Sequence, residues 1–293
     1  MNIEDINNKV SKYSLDDLKR YQKEAIQFFG AQLILLKDSI FKITDERQTK
    51  GGVLLMSCGQ TGTALLQLSN QIDFFTSESV MLARAFMEKI TNFCYVSICD
   101  ETEYRAFILH PIYKYYHNII TPRMEDDLDY IEENFKTCQE KQKKLKKIPI
   151  VQEALSIFSE TKPNLNWTKK NLSQRIGVIE KWGKMIDVFF TINKLQYYSD
   201  ASETLHGSLY GCTYDTGVFN PELNHNDKEE LNKKLYKENA CILLHLGMLI
   251  HETFTLISYS SDIKVLWKTS YRNRGKALNL LFHILEKDNK TIQ

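Results

Sequence analysis

Long stretches of this chain run without a residue that would stop a helix, and this more than anything else limits what it can fold into. Its 293 residues include only 5 prolines and 12 glycines, against average usage of about 5% and 7%. Between them Leu, Ile, Lys, Glu, Asn and Gln recur with few turn signals, which favours helices over a many-stranded sheet. A chain of this length buries roughly three quarters of its unfolded surface, enough for one large helical core or two smaller ones. The expected class is all-α, an antiparallel multi-helix bundle.

Charge and cysteine usage narrow the function classes. The 38 basic side chains nearly balance 37 acidic ones, for a formal net charge of +1, so no chain-wide field exists to hold a polyanion and any nucleic-acid contact must be local. Cys58, Cys94, Cys99, Cys138, Cys212 and Cys241 are scattered without a CxxC pair, as expected of reduced thiols. The N-terminus is acidic, and no apolar run reaches the roughly 18 residues that span lipid. The chain is therefore expected to be cytoplasmic, with no membrane partner. His245 and His251 lie six apart in an apolar stretch after Cys241 and are read as core residues; with no zinc spacing, HExxH or GxSxG present, neither a metal nor a cofactor is expected.

Helix boundaries follow from caps and periodicity. Ser14 stands before Leu15-Asp16-Asp17-Leu18, and Tyr21, Ala25, Phe28, Phe29, Leu33 and Leu36 recur at helical spacing, so a first helix is expected over 15–42. The segment 44–63, with Gly51-Gly52 and Gly59-Gln60-Thr61-Gly62, reads as irregular, with a second helix from Thr63 toward Phe74. A third runs from Thr76 or Ser77 to Cys99, and a fourth over 101–120, bent near Pro111. Another covers 125–147, acidic at its start and basic at its end, as the helix dipole favours. A short helix near 150–160 precedes a linker at 164–170, and a long apolar stripe from Ile176 to Phe190 is expected to break before Tyr197. The residues 207–226 read as the longest irregular stretch; a central core helix follows from Asp227 through Ile250, and a last helix runs from Arg272 to Glu286. In domain terms, 1–50 is an N-terminal helical segment packed on the core and 51–293 the main helical domain, with an internal hinge near 161–170.

Three segments carry candidate chemistry. Arg84 and Glu88 are four apart on one helical face and can pair. Tyr198, Ser202 and, more loosely, His206 follow one another on neighbouring turns before a glycine-rich break, and His206 titrates in the range that suits proton exchange near neutrality. Arg105 and His110 form a third pair, about 140° apart on an ideal helix, so a shared phosphate would have to sit across the groove between them. The sequence Gly59-Gln60-Thr61-Gly62-Thr63 lacks the lysine of a phosphate loop and reads as a loop entering a helix. Surface pairing, capping and core support are the bland accounts of the same residues.

The Arg84–Glu88 helix, the Tyr198–His206 segment and the all-helical plan together resemble a bacterial helical family of HEPN-like proteins, the higher-eukaryote and prokaryote nucleotide-binding superfamily, over roughly residues 50–285. HEPN-like nucleases cut RNA without a metal, often in toxin or antiviral systems, and commonly use an Arg followed after four to six residues by His. Arg105 and His110 match that spacing, whereas His206 has Ser202 rather than Arg at the four-residue offset. The resemblance implies a metal-independent endoribonuclease in a bacterial toxin or antiviral defence system. Arg84, Glu88, Tyr198, Ser202, His206, Arg105 and His110 are its candidate catalytic residues, RNA or a nucleotide its partner, and a homodimer its assembly. A non-catalytic nucleotide sensor or protein-interaction scaffold is the alternative. Lys141, Lys143, Lys144, Lys146 and Lys147, five lysines in seven positions, are the candidate RNA-binding patch.

Overall fold

The computed structural model describes residues 13–72, 77–118, 128–159, 166–205, 225–257 and 261–289. Among them are ten α-helices, one 3-10 turn and no strand: α1 (Leu15–Ile40), α2 (Glu46–Ser69), α3 (Ser77–Ile98), α4 (Glu101–Asn118), α5 (Leu128–Leu145), α6 (Pro149–Ile157), α7 (Leu172–Ile179), the 3-10 turn Glu180–Trp182, α8 (Lys184–Leu205), α9 (His225–Ile257) and α10 (Ser261–Asn289). The fold is an all-α multi-helix bundle. It divides into two compact units, Met1–Ser97 with Gln174–Gln293, and Ile98–Ser173. The first 50 residues thus share the larger unit with much of 51–293, and the boundary near Ser173 falls shortly after 161–170.

The larger unit is built around α9. From Ala240 to Ile257 almost every side chain is buried, including Leu243, Leu244, Leu246, Met248, Leu249, Ile250 and Phe254. A helix apolar on all sides has to be enclosed, and α1, α10 and α8 enclose it. Its Glu229–Ile257 span is long and apolar enough to cross a membrane by length and composition alone, but 89% of the apolar window is buried inside the protein's own fold. Helix α1 buries Leu18, Tyr21, Ala25, Phe28, Phe29, Leu35 and Leu36 at three- and four-residue spacing, with Phe28 against Gly247 of α9 and Phe29 against Phe86 of α3. Ser14 caps α1 by accepting from the Asp17 amide at 3.1 Å. Buried polar ties fix the register: Gln22 donates to the Ser69 carbonyl, Asn239 donates to Ser69 Oγ at 2.9 Å, and the Tyr13 hydroxyl donates to the Ile284 carbonyl at 2.6 Å.

Residues 44–63 correct the sequence reading. They are not irregular: α2 begins at Glu46, capped by Asp45, whose carboxylate accepts from the Gln48 amide at 2.9 Å, and runs unbroken to Ser69. The glycines serve close approach rather than turning. A Cβ at Gly62 would lie 2.6 Å from Leu33 Cδ2 and 3.0 Å from Phe86 Cε2, and Gly51 sits against the Phe93 ring. The second correction concerns the expected break before Tyr197. With no Gly or Pro from 184 to 205, α8 continues through that point. The interruption comes earlier, at the 3-10 turn and Gly183. The stretch 207–226 lies outside the described residues except for 225 and 226, which open α9.

In the smaller unit α4 continues through Pro111 and packs on α6 through Ala106, Leu109, Tyr113, Ala154 and Phe158. Trp167, within the expected linker 164–170, sets its ring edge-on to Phe107 with centroids 5.2 Å apart.

Candidate functional site

Helix α3 buries Ala83, Phe86, Met87, Ile90, Phe93 and Cys94. Stepping by four along its other side come Arg84, Glu88 and Asn92, all half-buried. Arg84 Nε donates to Glu88 Oε1 at 3.1 Å, with 15% and 36% of the two side chains exposed. The guanidinium carbon stands 4.4 Å from the centre of the Tyr198 ring on α8. Two of the sequence-selected segments, more than a hundred residues apart, therefore meet here. Two turns along α3, Asn92 Oδ1 accepts from Arg175 of α7.

Glu88 and Tyr198 do not use up the arginine. Its NH1 is buried without a hydrogen-bond partner among the described residues. An exposed i,i+4 pair returns about 0.3–0.5 kcal/mol, whereas a buried donor left unmade costs about 1–3 kcal/mol. The deficit is the larger; the 15% of the Arg84 side chain that is open to solvent is the part an anion can reach. One turn beyond Tyr198, α8 carries Ser202 about 40° further round. The side chain of Ser202, and the whole of His206, lie outside the described residues.

The other candidates are placed elsewhere. Arg105 makes a two-pronged pair with Glu153 of α6, Nε to Oε1 at 2.7 Å and NH2 to Oε2 at 2.6 Å. Those hydrogen bonds hold the Glu153 carboxyl below the usual carboxylate range and raise Arg105 above its ordinary value. His110 lies instead among aromatic rings, 5.5 Å from Phe158 and 6.4 Å from Tyr113 between centroids. The structure thus gives Arg105 a carboxylate partner and His110 an aromatic one. Lys141, Lys143, Lys144, Lys146 and Lys147 are all exposed at the end of α5 and in the turn after it. Among the described residues no group of three or more His, Cys, Asp or Glu is placed to hold a metal ion.

One polar centre went unseen in the sequence. His251 and Glu252 are buried in the core helix α9, with Ser270 and Gln32 equally enclosed. Ser270 Oγ donates to Gln32 Oε1 at 2.8 Å and stands 2.8 Å from His251 Nδ1. With its own proton committed to Gln32, the serine accepts from Nδ1–H, which leaves Nε2 as the acceptor facing Arg274 NH1 at 3.4 Å. This is a neutral imidazole, and burial, reinforced by the Arg274 charge, pushes His251 down to about 4. Arg274 also lies 3.6 Å from Glu252 Oε1. Burial outweighs that attraction and lifts Glu252 to about 7. Trp267 and Tyr271 stack at 5.3 Å beside His251. The network joins α1, α9 and α10. The signal available in the sequence was the pair His251-Glu252 inside an otherwise apolar run.

Comparison with protein-family models, with curated proteins and with solved structures finds no match. The class that the fold itself defines is an all-α multi-helix bundle.

Proposed function

We propose that this protein takes a phosphate of RNA or of a nucleotide at the Arg84 centre. The observation that carries the reading is the Arg84 guanidinium, held by Glu88 on one side and the Tyr198 ring on the other, with 15% of the side chain open to solvent. A guanidinium fixed in this way is ordered before the ligand arrives, so binding costs less side-chain entropy. An exposed, partnerless lysine would offer charge without that geometry.

The catalytic form of the proposal is a HEPN-like, metal-independent endoribonuclease. Arg84 neutralises the scissile phosphate while His206, eight residues after Tyr198 in the sequence, accepts the proton of the ribose 2′-hydroxyl. The hydroxyl oxygen bonds to phosphorus, the bond to the 5′ oxygen breaks, and that oxygen takes up a proton. The products are a cyclic phosphate and a free 5′-hydroxyl. Ser202 orients the approach, and the chain acts as a cytoplasmic homodimer in a bacterial toxin or antiviral defence system. The alternative is a non-catalytic nucleotide sensor, in which the Arg84–Glu88 pair at 3.1 Å serves binding alone.

Single-stranded and structured RNA incubated with the protein in the presence of a chelator tests the catalytic form. Cleavage that His206→Ala abolishes, with the helical spectrum unchanged, supports it. Cleavage lost instead in Arg105→Ala or His110→Ala moves the active centre to α4. RNA binding without cleavage leaves the sensor as the function.

A further inference from the structure

The sequence Lys141-Gln-Lys-Lys-Leu-Lys-Lys-Ile-Pro-Ile150 turns the corner from α5 into α6. The corner is well formed: the amides of Lys146, Lys147 and Ile148 donate to the carbonyls of Gln142, Lys144 and Leu145 at 2.9, 3.1 and 2.9 Å. All five lysines are exposed, and none forms an ion pair among the described residues. Helix-dipole compensation accounts for Lys143 and Lys144 in the last turn of α5. It does not account for Lys146 and Lys147, which lie beyond the helix.

The isoleucines are the second, independent observation. Ile148 occupies the N-cap of α6 and makes no side-chain cap hydrogen bond, at a position where Ser, Thr, Asp or Asn stabilises a helix and a branched apolar residue does not. It is 43% exposed, and Ile150 just after it is 41% exposed. The buried residues of α6 are Val151 and Ala154, with Phe158 buried at its C-cap, and neither isoleucine is among the residues of this core cluster. A local rule is broken at an exposed corner, beside a dense positive charge.

We infer that this corner docks the protein reversibly onto an anionic lipid surface. The lysines supply attraction to charged headgroups, and Ile148 and Ile150 supply the apolar side chains that enter the boundary between headgroups and acyl chains. RNA would use the lysines but has no use for exposed isoleucines. The stacking rings that single strands favour are absent from Lys141 to Ile150.

Vesicle co-sedimentation of the full chain is the test, with phosphatidylcholine vesicles alone or containing phosphatidylserine, at low and at raised salt. The wild type is expected to sediment with the phosphatidylserine vesicles only, and less at raised salt. Each lysine near an anionic surface is worth roughly fivefold in partitioning, so replacing Lys143, Lys144, Lys146 and Lys147 together by Gln should lower it at least about a hundredfold. Ile148→Ser with Ile150→Gln should lower it about tenfold with the helical spectrum unchanged, which separates lost docking from lost folding. Equal sedimentation with both vesicle types, or full retention in the isoleucine variant, overturns the inference. So does a corner that binds an RNA oligomer through the same lysines and no vesicle.

Discussion

Glu252 is a carboxylate buried in an apolar stretch of α9. It is 2% exposed on the core helix, and its carboxyl sits near 7 rather than 4.5. Between those values the folded protein holds a proton that the unfolded chain has released, so its contribution to stability is full below about 4.5 and falls as pH rises to about 7. His251, lowered from 6.5 to about 4, does the opposite: the unfolded chain takes up the proton first, and stability is lost as pH falls from 6.5 toward 4. The two slopes offset each other where they overlap. Glu252→Gln should uncover the histidine's slope, and its stability relative to wild type should grow with pH and level off above 7, by on the order of 1–3 kcal/mol. Denaturant titrations at several pH values read this directly, and a difference that does not change with pH would refute the assignment. At this scale the sequence was legible where partners are close along the chain, as for Arg84 and Glu88. It was not legible where they come from three helices, as for Gln32, His251 and Ser270.

Most helices could be read from caps and periodicity; the misreadings are the break expected before Tyr197, the start of α10, expected at Arg272 and found at Ser261, and the glycines of α2. Gly51, Gly52, Gly59 and Gly62 look like punctuation in the sequence, yet all lie within α2, because a missing side chain serves helix packing as readily as it serves a turn. Two of them, three residues apart, separate these roles. A Cβ at Gly59 meets nothing within 4 Å, whereas one at Gly62 meets Leu33 and the buried Phe86. Gly59→Ala should therefore stabilise the protein by about 0.5–1 kcal/mol through helix propensity, and Gly62→Ala should destabilise it by about 1–3 kcal/mol through overpacking. Thermal melts that move in the same direction for both would argue against the packing account. Asp45→Ala tests the start of α2, with an expected loss of about 1 kcal/mol in the same melts.

For the molecule as a whole, the helical class followed from the scarcity of helix-breaking residues, while the grouping of helices did not. Nothing local in the sequence announces that Ile98–Ser173 forms its own unit between two parts of a larger one, since the contacts that define the larger unit join α1 to α9 and α10 across that interruption. The meeting of α3 and α8 is a product of this long-range arrangement. The homodimer that belongs to the proposed function should appear in analytical ultracentrifugation as a concentration-dependent species across the micromolar range, and a monomer throughout would count against it. The central claim is that Arg84 holds a phosphate. It is tested most directly by fluorescence anisotropy of a short single-stranded RNA, measured at several salt concentrations with wild type, Arg84→Gln and Arg105→Gln. The account predicts that Arg84→Gln weakens binding about tenfold or more and reduces the salt slope by about one phosphate contact, with Arg105→Gln close to wild type. Wild-type affinity and slope in a folded Arg84→Gln protein would contradict it.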